Sequence, residues 1–177
     1  MRFLTLVFLA FCWSAAWAVP ISGLDLVTGK TTQVRPGTKG TVAIFLSSKC
    51  PCSNSHMNVL KKLAQEFKDF NFVAIHSNAD ETAEQAGIYF KAAGLPFPVV
   101  QDESSHLADS LKALKTPHAY VFSLSGEILF KGGVTSSHEG DTGSKQYLRE
   151  ALEDIRAGRE VRVKEARTLG CAIARNR

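Results

Sequence analysis

Two cysteines, Cys50 and Cys52, follow directly after an apolar segment of strand composition. Pro51 between them suits the first position of a helix, because the amide hydrogen that proline lacks has no partner there. Cys50 would then lie at a helix N-terminus, where free backbone N–H groups and the helix dipole favour thiolate over thiol. Thiolate is the attacking form of cysteine, so this position predicts that Cys50 is a nucleophile.

The residues around Cys50 are suited to the same chemistry. Lys49 adds a positive charge beside the cysteine, and the hydroxyls of Ser47 and Ser53 could donate to a sulfur anion or to a substrate oxyanion. Cys52 lies two residues further on, where it could turn inward toward the core as a small apolar side chain. We therefore assign Ser47, Pro51 and Ser53 to the substrate-binding surroundings of the nucleophile.

The first 18 residues have the features of a secretory signal peptide. Arg2 supplies a positive charge, an apolar run extends from Phe3 to Trp17, and Ala16 and Ala18 place small residues at the end of the run. We predict cleavage after Ala18 and a secreted or periplasmic location. The run is short for a membrane span, although an uncleaved membrane anchor is the alternative.

Cleavage would leave residues 19–177, about 159 residues, which is the usual size of one domain. Its 20 Lys and Arg against 17 acidic residues (21 minus Arg2) are scattered, which predicts neither nucleic-acid binding nor a membrane contact. A glycine-rich phosphate loop is absent from the sequence, and we expect no cofactor. Three cysteines remain, so one thiol stays unpaired in a fully oxidised monomer.

The hydrophobic pattern alternates between strand and helix along the chain. Apolar runs predict strands, and apolar residues at helical spacing predict helices. The predicted order is strand 41–47, helix 51–67, strand 70–77, helix 86–93, strand 97–102, helix 107–114, strands 119–123 and 127–131, and helix 147–155. This order predicts an α/β fold with a mixed central sheet and helices on both faces. Residues 21–35 add a possible hairpin in front.

Thr116 and Pro117 precede the strand at 119–123. A proline at the mouth of a strand often follows a cis peptide bond, which makes a fixed turn. We predict a cis bond before Pro117, and we place Thr116 and Pro117 among the substrate-binding residues.

The segment from Phe45 through Lys131 resembles the redoxins, which join thioredoxins with peroxiredoxins of the alkyl hydroperoxide reductase type. The matching pieces are FLSSKCPCSNSH, PFPVVQDESSHLADSLKAL, TPHAYVF and SGEILFKGG. This resemblance implies a thioredoxin-like fold, with a cis-proline loop beside the redox cysteine. The pieces YLREALEDIRAGREV and TLGCAIA resemble a peroxiredoxin-like subgroup, in which Cys-Pro-x-Ser-Asn pairs with a Gly-Cys. Here these correspond to residues 50–54 and to Gly170 and Cys171.

The chain also departs from both parent groups. Ser53 stands where thioredoxins have their second cysteine. Ala43 replaces the proline that typical peroxiredoxins place seven residues before the reactive cysteine, whereas Ser47 fills the Thr/Ser position three residues before it. The substrate is therefore either a peroxide or a disulfide, and the implied partner is a thiol reductant of unknown identity.

Three mechanisms remain open for the thiols. In the first, Cys171 resolves a sulfenic acid or a mixed disulfide formed on Cys50. In the second, Cys52 is the resolving thiol, since residues two apart can reach the ~4.4–6.8 Å Cα separation of disulfides. In the third, Cys50, Cys52 and a histidine, either His56 or His118, bind copper(I), because soft thiolates suit that ion.

Overall fold

The computed structural model describes residues 21–140 and 143–176, so the predicted signal peptide, residues 1–18, lies outside the described residues. The elements are, in chain order, β1 (Ile21–Leu24), β2 (Thr31–Val34), β3 (Gly40–Phe45), α1 (Pro51–Glu66), β4 (Phe70–His76), α2 (Ala83–Ala93), β5 (Val99–Gln101), α3 (His106–Leu111), β6 (Lys115–Thr116), β7 (His118–Phe122), β8 (Ile128–Gly132), α4 (Tyr147–Arg156) and β9 (Cys171–Ala172). A 3₁₀ turn, Glu103–Ser105, precedes α3.

A five-stranded sheet forms the centre, with the strand order β5-β4-β3-β7-β8. The β3–β4 and β4–β5 pairs are parallel, and the β3–β7 and β7–β8 pairs are antiparallel. The predicted mixed α/β sheet is therefore confirmed. The predicted front hairpin is also present as β1–β2, and a further two-stranded sheet, β6–β9, was not predicted.

All six residues of the central strand β3 are buried. A continuous apolar strand of this kind is typical of a sheet that is covered on both faces. Helices α1, α2 and α4 pack on one face, while α3, β1 and Ile173 contact the other face. Helices therefore lie on both faces, as predicted.

Helix α1 begins with Pro51, and Met57, Leu60 and Leu63 form its buried stripe. Because 3.6 residues complete a helical turn, this spacing puts the three side chains on one face. The stripe fixes the direction of the helix against the sheet. As a consequence, its N-terminal end lies at the carboxyl end of β3.

The predicted turn signals are also present in the structure. The peptide bond between Thr116 and Pro117 is cis. Helix α2 ends at Gly94 in the left-handed conformation. The short helix is shorter than expected, since Lys112 already has a φ of 57°. Within the described residues, we find no helix with the length and apolarity needed to cross a membrane.

Candidate active site

Cys50 is the N-cap residue of α1, and no side chain caps this helix end. The cysteine is 2% exposed. Its Sγ lies 3.1 Å from the carbonyl oxygen of Thr116 and 2.8 Å from Sγ of Cys171. Three segments that are far apart in the sequence therefore meet at one sulfur atom.

Cys171 reaches this position because β9 pairs with β6, in a register that places Cys171 opposite Thr116. The preceding residue, Gly170, has a φ of +148°, and a Cβ added there would lie 1.9 Å from the carbonyl oxygen of Thr116. Glycine is the residue that permits both this conformation and this approach. Glycine before Cys171 is thus required sterically, because a larger residue at position 170 would collide with Thr116.

Cys52 does not turn into the core, contrary to our expectation. It is partly exposed, whereas Cys50 is the buried cysteine. The Sγ of Cys52 lies 3.3 Å from Nδ1 of His138. The sulfur atoms of Cys50, Cys52 and Cys171 all lie within 4.8 Å of one another. A small movement would therefore allow Cys50 to form a disulfide with either Cys171 or Cys52.

Electrostatics separates the three thiols. Burial acts to raise the pKa of Cys50, but hydrogen bonding to Cys171, to the Thr116 side chain and to the Ser53 backbone outweighs it and lowers the pKa from 9.0 to about 7. Burial, together with the hydrogen bond to Cys50 and the charge of that cysteine, raises the pKa of Cys171 to about 12. The pKa of Cys52 is also raised, by burial and then by the charge of Cys50. Of the Cys50–Cys171 pair, Cys50 is therefore the thiol that loses its proton first as the pH rises.

The hydroxyl groups of the serines near Cys50 form hydrogen bonds within the surrounding loop rather than with the sulfur. The hydroxyls of Ser47 and Ser48 donate to the carboxylate of Glu81, and the Ser48 amide donates to the same group over 2.8 Å. The Ser47 amide donates to Oγ of Ser53 over 3.3 Å. His76 holds Glu81 from the other side, with Nε2 at 3.2 Å. The hydroxyls of Ser47 and Ser53, which we predicted to donate to the sulfur, therefore stabilise the loop that leads to Cys50.

The other predicted substrate-binding residues differ in their exposure to solvent. Pro51 is exposed at the start of α1, whereas Thr116 and Pro117 are buried beneath β9. The ammonium group of Lys49 donates to the carbonyl oxygen of Asp80. The positive charge of Lys49 therefore lies at the surface of the site, tied to a neighbouring loop.

Neither His56 nor His118 belongs to the cluster of three thiols. His56 is 1% exposed. Its ring nitrogens lie 2.7 Å from the carbonyl oxygen of Cys52 and 2.9 Å from Oγ1 of Thr135. Burial lowers the pKa of His118 to about 4, and this residue does not belong to the thiol cluster. His138 is exposed, and its Nδ1 contacts the sulfur of Cys52.

The position of His138 depends on contacts that the sequence does not reveal. Ser55 Oγ donates to the carbonyl oxygen of His138 over 2.7 Å. Gly140 packs so closely that an added Cβ would lie 2.9 Å from the Ser55 carbonyl oxygen. The loop is thereby fixed against the first turns of α1. Its residues show no hydrophobic periodicity, so the sequence carried no signal for this contact.

Comparison with known proteins places this geometry in context. A sequence model described as thioredoxin-like matches residues 37–128. The fold is similar to an uncharacterized conserved protein from Geobacillus kaustophilus, with 27% identity, 90% coverage of each chain and a TM-score of 0.79. A hypothetical protein from Sinorhizobium meliloti 1021 is 24% identical over 90% of this chain and 92% of that chain, with a TM-score of 0.77.

A third similar structure is a secreted disulfide oxidoreductase from Mycobacterium tuberculosis. It is 16% identical over 77% of this chain and 95% of that chain, with a TM-score of 0.57, and this likeness concerns the fold. No curated protein matches the chain.

Proposed function

We propose that this chain, which belongs to the thioredoxin-like family, is an exported thiol oxidoreductase with Cys50 as nucleophile and Cys171 as resolving thiol. The observation that carries the proposal is the 2.8 Å separation of the two sulfur atoms, at a cysteine whose pKa is lowered to about 7. The described thiols thus include one reactive sulfur with a second thiol directly beside it. Export rests on the signal-like residues 1–18 and a single mature domain on residues 19–177.

The proposed reaction has two steps. The Cys50 thiolate attacks a peroxide, giving a sulfenic acid and an alcohol or water, or attacks a disulfide, giving a mixed disulfide and a released thiolate. The Cys171 thiol then attacks the Cys50 sulfur, forming the Cys50–Cys171 disulfide and expelling water or the second thiol. The protein loses two electrons and the oxidant gains them. An external thiol reductant restores both thiols by disulfide exchange.

Two groups would assist these steps. Free amides at the start of α1 face the sulfur that carries negative charge, which stabilises the thiolate. Cys171 holds a proton near Cys50 because its own pKa is raised. That proton is available to the leaving group of the first step. Peroxide reduction, to which the resemblance to peroxiredoxin-like proteins points, and disulfide exchange both fit this arrangement.

Mass-spectrometric disulfide mapping tests the assignment. We expect the reduced protein, treated with one equivalent of hydrogen peroxide, to form a Cys50–Cys171 link. Cys50→Ser provides the control, and it should lose the link and all turnover. A Cys50–Cys52 link would transfer the resolving role to Cys52. Thiols that stay unchanged under peroxide and under a disulfide would contradict the proposed activity.

The pH dependence of alkylation tests the nucleophile separately. The rate of iodoacetamide labelling at Cys50 should rise with pH and reach half its maximum near pH 7, because thiolate forms there. Cys171→Ala removes the strongest of the interactions that lower this pKa, so its midpoint should move to higher pH. Cys52→Ala is the matched control and should shift the midpoint less. Equal labelling of all three cysteines at neutral pH would contradict the proposed order.

Copper(I) binding is the second candidate function. It is favoured by the cluster of three sulfur atoms within 4.8 Å of one another, since soft thiolates suit copper(I). The histidine would be His138 rather than His56 or His118, because Nδ1 of His138 lies 3.3 Å from the sulfur of Cys52. The reduced protein should then retain one copper(I) against a competing chelator, and lose it in the Cys171→Ser variant. Failure to retain copper with all thiols reduced would remove this candidate.

A further inference from the structure

The strand β9 occupies the backbone edge beside the reactive sulfur. Cys171 and Ala172 pair with Thr116 and Lys115 of β6, and the carbonyl oxygen of Thr116 lies 3.1 Å from the Cys50 sulfur. Main-chain pairing at an exposed strand edge is a general way in which proteins hold an extended polypeptide. In this chain, a segment of the protein itself holds that position.

The chain after Cys171 is fastened by several contacts. Ile173 is 6% exposed and packs into the apolar cluster on the α3 face of the sheet, and its amide donates to the carbonyl oxygen of Leu114 over 3.0 Å. Arg175 donates to Asp109 and to the carbonyl oxygen of Ala113, each over 2.8 Å. β9 is therefore held by apolar burial and by charge as well as by backbone pairing.

The chain before Cys171 is fastened as well. The amide of Lys131 in β8 donates to the carbonyl oxygen of Lys164 over 2.9 Å, and the amide of Ala166 donates back to Lys131 over 3.0 Å. Gly132 leaves room for this segment, since a Cβ there would lie 2.7 Å from the carbonyl oxygen of Ala166. Residues 164–175 therefore run along the sheet with attachments on both sides of Cys171.

We propose that β9 closes the β6 edge to polypeptide substrates, so that the thiols react with oxidants of low molecular weight. This inference rests on the proposed function and names its substrate class: hydroperoxides and small disulfides. A polypeptide disulfide would need to pair with the backbone of Thr116 and to fit beside the Cys50 sulfur. In this structure, β9 occupies both positions. A small oxidant needs only contact with the sulfur, and Cys52 and Cys171, the groups around it, are partly exposed.

The chemistry for a small disulfide is balanced within the site. The Cys50 thiolate attacks one sulfur of the small disulfide, and a small thiolate leaves with the electron pair of the broken bond. Cys171 then attacks the mixed disulfide, and the second small thiol leaves. The net result is one disulfide in the protein and two reduced small thiols.

The test uses a variant that traps the first step. Cys52→Ser combined with Cys171→Ser keeps β9 and stops resolution, so mixed disulfides accumulate on Cys50. The rate of their formation is measured with glutathione disulfide and with a disulfide in an unfolded polypeptide. We expect the small disulfide to react at least about tenfold faster, a difference that corresponds to ~1.4 kcal/mol.

Displacement of β9 should reverse this preference. In the trapping variant, Gly170→Ala places a methyl group against the carbonyl oxygen of Thr116 and pushes the strand away. The polypeptide rate should rise about tenfold, while the rate with glutathione disulfide changes little. Gly158→Ala is the matched control, since its φ is also positive, +69°, but its added Cβ meets no atom within 4 Å. Ile173→Ser loosens β9 without a steric clash and should act like Gly170→Ala.

The outcomes separate the two proposals. Equal rates for both disulfides with β9 in place would overturn the inference, as would a preference that neither Gly170→Ala nor Ile173→Ser alters. A Cys50 that reacts with no disulfide and no peroxide would instead overturn the proposed function. Hydrogen peroxide serves as the second small oxidant, with the Cys50 sulfenic acid as the product to be detected.

Discussion

The two faces of the central sheet are covered in different ways. One face lies under α1, α2 and α4, whose regularly spaced apolar residues form the larger cluster. The other face is covered by short pieces, namely β1, α3 and the segment containing Ile173. The reactive site lies where these coverings meet, because Cys50 begins a long helix and Cys171 belongs to a short, separately attached strand.

This difference separates what holds the fold from what completes the site. A long helix with a buried stripe unfolds only with the sheet that it covers. A short strand with a few anchoring contacts can detach while the sheet remains folded, since local opening costs less than global unfolding. Cys50 is thus placed by a long helix packed on the sheet, and Cys171 by a short strand that is attached through a few contacts.

The largest effect on stability is expected on the helical face. Leu60 is 0% exposed in α1, and Leu60→Ala should lower the free energy of unfolding by about 2–5 kcal/mol, through lost burial and a residual cavity. Denaturant-induced unfolding measures this change. A loss below that caused by changes in β9 would contradict the distinction between the two faces.

The next effect is expected in the loop that precedes Cys50. The Glu81 carboxylate accepts hydrogen bonds from Ser47 and Ser48 and contacts His76 while fully buried. Glu81→Gln removes the charge that satisfies these donors, and we expect a loss of about 1–3 kcal/mol at neutral pH. Unfolding with urea at pH 7 gives the value. Glu84→Gln in the first turn of α2 is an exposed control.

The same glutamate gives a pH dependence with a definite sign. Burial would raise the pKa of Glu81, but hydrogen bonds from His76, Ser47 and Ser48 lower it from 4.5 to about 2. The stabilisation is therefore complete above pH 4.5 and is lost as the pH falls toward about 2. The stability difference between the wild type and Glu81→Gln should shrink over this range. A constant difference between pH 5 and pH 3 would show that the charge of Glu81 does not contribute.

A smaller effect on stability is expected at β9. Ile173→Ala should lower the free energy of unfolding by about 1 kcal/mol, because the strand can detach before the sheet unfolds. The same change should slow formation of the Cys50–Cys171 disulfide, which thiol mapping over time would measure. Leu60→Ala should show the opposite pattern, with a large loss of stability and an unchanged rate of disulfide formation under native conditions.

The smallest effect is expected at an exposed apolar residue. Ile88 is 67% exposed on α2, so Ile88→Ala should change the free energy of unfolding by less than about 0.5 kcal/mol. Denaturant-induced unfolding again measures it. A loss comparable with that of Leu60→Ala would mean that Ile88 is covered by something other than this chain.

The sequence predicted the helical face well, because apolar spacing and helix end signals are local patterns. Leu60 and Leu63 fall on one helical stripe, and α2 ends at Ala93, where the predicted helix 86–93 ends. The environment of Cys50 was predictable in the same way, since Pro51 marks the helix start. Local patterns therefore predicted the element that carries Cys50, whose role as nucleophile stays a prediction.

The rest of the site could not be predicted, because it depends on contacts between distant residues. β6 and β9 have two residues each, too few for any alternation to be visible. The exposure of Cys52 and its contact with His138 depend on a loop that has no repeating pattern. The proximity of Cys171 to Cys50 followed only from a resemblance, and the pairing of β9 with β6 that produces it was not predicted.

The contacts of the Cys50 sulfur have a consequence for the unfolded chain. Thr116 is 66 residues from Cys50 and Cys171 is 121 residues from it, so the part of the lowering of its pKa that these two residues cause exists only after the domain has folded. An unfolded chain has ordinary thiols, which are mostly protonated at neutral pH and react slowly. Under the proposed function, the Cys50 sulfur would therefore gain its full reactivity only as the domain folds, and an unfolded chain should form fewer cross-links with other proteins.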